Sequence, residues 1–201
     1  MFDNVAVMIA SAQTIALDAF ARKALGPDAF ISDDELPLSE VLDPLHPHAC
    51  TFADHHWIFS WDQIEHWLTT PCLQVGTQSV YALNAQVGFY GFAIIHEGRM
   101  FRQRIGTERH GIVSDKGPLT EPEYETVASL FNQDSLNDGF HIWDGAHIPH
   151  RPQTHVSLGA EVVTRMLSLQ TGMSLWQLSQ NVRSQSARNI DFFEQPAEAM
   201  V

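Results

Sequence analysis

Hydrophobic positions along the chain fall into short blocks whose spacing predicts alternating strands and helices. Residues 5–10 are continuously apolar and rich in Val and Ile, which is typical of a buried strand. Residues 15–25 then carry apolar side chains at helical spacing until Gly26-Pro27 ends the helix. Residues 51–60 are strand-like with a turn at Asp54-His55, and residues 61–70 return to helical spacing.

A β-hairpin is predicted over residues 79–107, because two apolar strand-like segments flank the turn residues Glu97-Gly98. Capping boxes mark the starts of three helices, at Ser60 with Gln63, Thr120 with Glu123, and Ser174 with Gln177. This order predicts an α+β protein with a mainly antiparallel sheet and helices on one face. A ferredoxin-like core extended by the hairpin fits the opening β-α-β-β-α-β order.

One compact domain is predicted over residues 1–183. The segment 28–47 is acidic and rich in proline, and we interpret it as a surface connection. Residues 184–201 have few apolar anchors apart from Phe192-Phe193, so we expect a flexible or partner-docking tail.

Charge excludes several classes of partner. The chain of 201 residues has 24 acidic side chains and 11 Lys and Arg, and its formal net charge is −13. Such a surface repels nucleic acid and anionic membranes. No apolar run reaches the length of about 18 residues that a membrane helix needs, and the two cysteines lie outside any CxxC motif. We therefore expect a cytoplasmic protein with no nucleic-acid or membrane partner.

The predicted hairpin is the basic part of this acidic chain. Residues 71–111 contain two acids and four arginines, Arg99, Arg102, Arg104 and Arg109. Arg102 and Arg104 share one face of the second strand, while Phe101 and Ile105 take the other. The four arginines are candidate binding residues for a carboxylate, a phosphate or a protein partner. The alternative is that they pair with the protein's own surplus acids.

Histidines supply the second candidate site. Asp144, His147, His150 and His155 lie in a predicted late loop over residues 132–154 and just beyond it. Imidazole and carboxylate groups suit a divalent transition metal, which would make these four residues a hydrolytic centre. The spacing matches no established metal motif, so loop histidines without a ligand are the alternative. A nucleophilic Cys50 beside His48 is disfavoured, since free cysteine is usually buried.

The hairpin and the segment after it resemble an uncharacterised bacterial domain family. The resemblance is carried by the strand 88–95, the turn Glu97-Gly98-Arg99, a second strand with arginine, and the segment 117–121, Gly-Pro-Leu-Thr-Glu. A late helix that opens with Leu158-Gly159 and carries Arg165 is also similar. The family has no assigned activity, so the resemblance implies an architecture and no catalytic residue.

Two function classes remain. The one we favour is a non-enzymatic protein-binding or neutralising, immunity-like domain without a cofactor, because acidic surfaces commonly meet basic enzymes. Trp57, Trp61 and Trp67 crowd one segment, and some aromatic side chains are expected to form an interaction patch. The alternative is the metal-assisted hydrolase built on the histidine-rich loop. Homo-oligomerisation is left open by the sequence.

Overall fold

The computed structural model describes residues 4–37, 46–144 and 152–189. The strands are β1 Asn4–Ser11, β2 Ala29–Pro37, β3 His48–Phe52, β4 His55–Phe59, β5 Thr77–Asn84, β6 Phe89–His96, β7 Arg99–Thr107, β8 Gly111–Lys116 and β9 Arg183–Asn189. The helices are α1 Leu17–Leu25, α2 Ile64–Thr69, α3 Glu121–Leu130, α4 Leu136–Asp144, α5 Pro152–Thr171 and α6 Leu175–Asn181.

The strands form one antiparallel sheet. Its nine described strands lie in the order β2-β9-β3-β4-β1-β5-β6-β7-β8, and every described pairing is antiparallel. The predicted α+β class with a mainly antiparallel sheet is thus confirmed. Strands β3, β4, β1 and β5 are adjacent, with α1 following β1 and α2 following β4, which is the split β-α-β order expected for the core.

Helices cover both faces of the sheet, whereas the sequence predicted them on one. On β1, Val5, Val7 and Ile9 belong to the apolar cluster that α3 to α6 cover. The alternate residues Ala6, Met8 and Ala10 belong to the cluster under α1 and α2. A strand that is apolar on both sides needs cover on both sides. The continuous apolar run of β1 is the sequence signal of this second layer.

The core prediction agrees with the structure at most positions. The periodicity of apolar residues in the sequence predicts eleven core positions, and nine of them are buried: Val7, Ile9, Phe20, Ile64, Leu68, Phe92, Val127, Val162 and Met166. The other two, Ile94 and Phe131, are half-buried. No helix among the described residues is long and apolar enough to cross a membrane.

The expected connection and tail contain two further strands. Part of the segment 28–47 is the edge strand β2, which pairs with β9. Residues 184–189 of the expected tail belong to β9, which lies between β2 and β3, and Ala187 on it is fully buried. The remainder of the tail, residues 190–201, lies outside the described residues. Strand β9 is polar almost throughout and β2 is polar from Ser32 to Glu35, so neither shows the apolar alternation that predicts a strand, and their pairing depends on their neighbours.

Candidate functional site

On β7, charged side chains face the interior of the protein and an apolar side chain faces solvent, which is the reverse of the usual arrangement. Arg102 and Arg104 point into the protein and are 1% and 0% exposed, while Phe101 on the opposite face is 52% exposed. The alternation predicted for this strand is present. The arginine face is the one that α3, α4 and α5 cover, so neither arginine forms part of an accessible surface patch.

Arg102 is held by a buried carboxylate on α3. Its Nε and Nη2 donate to the two carboxylate oxygens of Glu123 at 2.9 and 2.6 Å. Its Nη1 donates to Asp115 and to the backbone carbonyls of Lys116 and Gly117. Burial lowers the pKa of Arg102, but its hydrogen bonds to Glu123 and Asp115 outweigh burial and raise it overall. This arginine therefore stays charged inside the protein.

Glu123 joins three elements through the same carboxylate. It is fully buried and accepts hydrogen bonds from the Trp143 indole at 3.0 Å and from the Thr120 backbone at 2.7 Å, besides those from Arg102. The capping box predicted at Thr120 and Glu123 is confirmed. The buried ion pair between Arg102 and Glu123 therefore holds the segment 117–121, which is part of the family resemblance, against β7.

Arg104 lies beside Arg102 in the same cluster but is less completely paired. Its Nη1 donates to the second carboxylate oxygen of Asp115, and its Nε donates to the Tyr90 hydroxyl at 3.3 Å. Its guanidinium carbon stands 3.8 Å from the centre of the Trp143 ring, a cation–π contact. Its Nη2 has no hydrogen-bond partner among the described residues.

The other two candidate arginines are separate from this cluster. Arg99 begins β7 after the Glu97-Gly98 turn, and Arg109 lies in the turn between β7 and β8. Both are exposed. The four arginines therefore do not form one site.

The histidine candidates are described in part, and the loop predicted over residues 132–154 is largely wrong, because α4 covers Leu136–Asp144 and α5 begins at Pro152. His155 lies in the first turn of α5 and is 8% exposed, with Nδ1 3.4 Å from the Tyr90 hydroxyl. Burial lowers the pKa of His155, and the charge of Arg104 lowers it further. His147, His150 and the Asp144 side chain lie outside the described residues. Within the described ranges, no three His, Cys, Asp or Glu side chains are grouped as metal ligands, so the metal site stays a prediction.

The cysteines lie in packing positions. Cys50 is buried on β3, and burial raises its pKa to about 12. Burial also raises the pKa of Cys72 to about 11. A thiolate is the nucleophilic form of cysteine, so neither side chain is poised as a nucleophile at neutral pH.

An apolar groove lies on the other face of the same strands. Its volume is about 440 Å³, within the range of about 300–1,000 Å³ that is usual for ligand pockets. Helix α2 forms one wall and β6 to β8 form the other; the lining side chains include Trp61, Ile64, Leu68, Phe89, Ile105 and Val113. The Trp61 indole N–H is buried and has no hydrogen-bond partner within the described part of the chain.

A glycine of β6 lies behind the α2 wall of the groove. A Cβ on Gly91 would lie 2.9 Å from Leu68 Cδ1, so a larger residue there would displace the groove-lining Leu68 side chain. The sequence indicated Trp61 as part of an expected aromatic interaction patch. It did not reveal that the neighbouring Phe101 and Val113 would be left 52% and 58% exposed, because alternation does not say which face the helices cover.

The groove opens beside an edge of the sheet. Among the described strands, β8 has a neighbour on one side only, and so does β2. Strand β2 carries Asp33, Asp34 and Glu35 in succession, and charged side chains of this kind protect an edge from strand addition. Residues 111–114 of β8 are uncharged, and Val113 and Ser114 among them line the groove.

No family model, curated protein or solved structure matches this chain. The functional argument therefore depends on the residues of the groove and of the buried cluster.

Proposed function

We propose that this protein is a non-enzymatic protein-binding domain that captures an extended segment of a basic partner along β8. The groove beside β8 carries the proposal. The exposed Val113 lines a pocket large enough for one bulky apolar side chain, and the exposed Phe101 lies on the same face of β7 as the groove-lining Ile105. Strand addition at an edge uses this combination, since main-chain hydrogen bonds give affinity and side-chain pockets give specificity.

Charge supports a basic partner. The segment 46–70, which includes α2, contains Asp54, Asp62 and Glu65 and no Lys or Arg, and Glu65 lines the groove. The whole chain carries −13. Acidic surfaces attract and orient basic partners, as an immunity-like protein needs when it neutralises a basic enzyme. The Trp61 side chain lines the groove, and Trp is frequent at energetically important positions in interfaces.

A random peptide library displayed on phage is the probe for this proposal. The full chain is the bait, and Val113→Arg is the counter-selection bait, because Val113 is exposed and its replacement leaves the core intact. We expect peptides with one large apolar residue flanked by Lys or Arg, and at least tenfold weaker binding to the Val113→Arg protein. Leu169→Arg is the matched control, since Leu169 is 59% exposed on α5, outside the groove lining, and should bind as the parent does.

Three results would overturn the proposal. One is a selection with no enrichment over the Val113→Arg bait. Another is an enriched set that lacks basic residues, which would remove the charge argument. The third is a concentration-dependent dimer that Val113→Arg dissociates in sedimentation, because the groove would then be occupied by a second copy of this chain.

A further inference from the structure

One buried amide joins the two walls of the groove beside β8. Gln103 of β7 is 1% exposed and lies on the same face of the strand as the groove-lining Ile105. Its Nε2 donates to the backbone carbonyl of Leu68, near the end of α2, at 2.6 Å. Its Oε1 lies 2.5 Å from the Ser114 hydroxyl of β8. Gln103 therefore links the helix wall of the groove to its strand wall.

The atom types at this amide settle the direction of each hydrogen bond. A backbone carbonyl only accepts, so the Gln103 amide turns its Nε2 toward Leu68 and its oxygen toward Ser114. The amide oxygen also only accepts, so the Ser114 hydroxyl donates its single proton to Gln103. Ser114 Oγ is left with lone pairs alone. It can therefore accept a hydrogen bond from a group in the groove but cannot donate one.

Two other polar side chains of the groove are also acceptors. Thr69 Oγ1 donates its proton to the backbone carbonyls of Glu65 and His66, at 2.9 and 3.2 Å. The ionised carboxylate of Glu65 has no proton to donate. Thr107 is the exception, because its Oγ1 accepts from the His110 backbone N–H and the direction of its own proton depends on the His110 tautomer. None of the described residues that line the groove is Lys, Arg or His.

Aromatic side chains form part of the apolar lining. Trp61 and Phe89 both line the groove, with ring centres 6.3 Å apart and ring planes inclined at 68°. Aromatic rings attract one another in edge-to-face and offset arrangements, so a ligand ring gains more here than its apolar area alone provides. The Trp61 N–H is buried, so it supplies no donor to a ligand in the groove.

We propose that the groove takes a tryptophan or tyrosine side chain of the captured segment, and that Ser114 Oγ accepts the hydrogen bond from its N–H or O–H group. This inference rests on the proposed function, because the side chain belongs to the segment that pairs with β8. Both side chains combine an apolar ring with one donor. Ser114 is half-buried, whereas Glu65 and Thr69 are exposed, so Ser114 Oγ is the least hydrated of the three acceptors.

A charged anchor suits this groove less well. Moving a full positive charge from water into a mainly apolar pocket costs far more than moving a neutral N–H or O–H group that finds an acceptor. The Lys and Arg residues expected in the partner therefore flank the anchor and do not enter the pocket.

Free side-chain analogues test the anchor without a selected peptide. The full chain is titrated with 3-methylindole, the tryptophan side chain, and with 3-methylbenzothiophene, in which sulfur replaces the N–H. Shifts of the Val113 and Ser114 backbone amides in NMR spectra report binding. We expect 3-methylindole to bind about fivefold more tightly, since one hydrogen bond distinguishes the two ligands. The sulfur compound is the more apolar, so tighter or equal binding of it would overturn the inference.

A cationic analogue tests the alternative anchor in the same titration. The n-butylammonium ion represents the lysine side chain, and we expect it to bind more weakly than 3-methylindole. Tighter binding of the ammonium ion would show that the pocket takes the charged residue itself, and would overturn the aromatic anchor.

Substitutions of two groove hydroxyls identify the acceptor. Ser114→Ala removes the oxygen, so the preference for 3-methylindole over its sulfur analogue should disappear, and Ser114→Thr should keep it. Thr69→Ala is the matched control, because it removes an exposed hydroxyl of the same groove and should leave the preference unchanged. A preference that survives in a folded Ser114→Ala protein would remove Ser114 from the proposal. The comparison of the two ligands in the parent chain needs no variant.

The anchor and the strand-capture proposal can fail separately. Library peptides that prefer the parent over Val113→Arg but carry leucine or methionine as often as tryptophan or tyrosine would overturn the anchor and leave strand capture standing. A chain that prefers 3-methylindole over the sulfur analogue but enriches no peptide would support the acceptor role of Ser114 and overturn strand capture.

Discussion

At the residue scale, Glu123 has the largest structural role that the sequence concealed. In sequence it is the third residue of a capping box, and that local role is confirmed. In the structure it also neutralises Arg102 and accepts from Trp143, so one buried carboxylate links α3, α4 and β7. Position along the chain predicts the cap, whereas the ion pair depends on which face of β7 the helices cover.

Glu123→Ala should destabilise the protein far more than Glu125→Ala on the same helix. Removing Glu123 leaves the buried Arg102 with the partly exposed Asp115 as its remaining carboxylate partner and leaves Arg102 Nε and Nη2 without their acceptor, which costs about 3–5 kcal/mol. Glu125 pairs with Arg165 at 2.6 Å, but both are exposed by 39% or more, so its loss should cost about 1 kcal/mol or less. Urea unfolding measures both free energies. Similar losses would contradict the burial of the Arg102 pair.

His155 should make stability depend on pH. Burial and the Arg104 charge hold its pKa below the ordinary 6.5, so below that pH the unfolded chain binds more protons than the folded one. The free energy of unfolding should therefore fall as the pH drops from about 6.5 toward the lowered pKa, and this contribution is absent above about pH 6.5. His56, whose pKa burial also lowers, acts in the same direction.

Urea titrations of the parent and of His155→Gln from about pH 7 to about pH 5 isolate the His155 contribution. The variant has no titrating group at this position, so its stability should fall less over that interval. An unchanged slope would mean that His155 is protonated equally in the folded and unfolded chains.

At the element scale, short sequence signals predicted individual strands and helices but did not predict how many strands the sheet contains. The capping box predicted at Ser60 is wrong, because Gln63 is the N-cap of α2 and no side chain caps it. The Glu97-Gly98 hairpin, the apolar β1 and the capping boxes at Thr120 and Ser174 all appear where the sequence placed them. These features depend on a few adjacent residues. Strand β9 has the sequence Arg-Ser-Gln-Ser-Ala-Arg-Asn, which shows no apolar alternation, and it exists because β2 and β3 flank it. The sequence did not predict the groove for a similar reason, because the groove forms between α2 and the strands β6 to β8, which come later in the chain.

Ala187→Asp tests whether β9 is an integral strand. Ala187 is fully buried opposite Ile31 and packs under α1 and α2, so a carboxylate there is an unpaired buried charge. We expect a loss of about 3 kcal/mol or more in unfolding free energy. Arg183→Asp, at an exposed position of the same strand, is the control and should change it by about 0.5 kcal/mol. Equal, small effects would mean that β9 is not needed for the fold.

At the scale of the whole molecule, polar and apolar groups are divided between the two sides of one strand. Arg102 and Arg104 lie inside and are neutralised by two acids, so they contribute no net attraction to an external anion at long range. The external field is therefore dominated by the unpaired part of the net charge of −13. The exposed Phe101 of β7 and Val113 of β8 lie on the opposite face, where Val113 shares the groove with Glu65 of α2. Attraction over distance and contact at the groove are thus supplied by different residues.

The division between long-range charge and apolar contact predicts how binding of a selected basic peptide responds to salt and to mutation. This prediction rests on the proposed function, because the peptide is one selected for binding to the groove. Screening weakens the long-range field, so the association rate constant should fall by about tenfold between ~0.05 M and ~0.5 M salt. Val113→Ala removes contact area without changing charge, so it should raise the dissociation rate and leave the salt dependence of association intact. Asp62→Asn with Glu65→Gln should do the reverse, lowering the association rate at low salt. Surface plasmon resonance measures both rate constants, and a dissociation rate that is unaffected by Val113→Ala would place the peptide outside the groove.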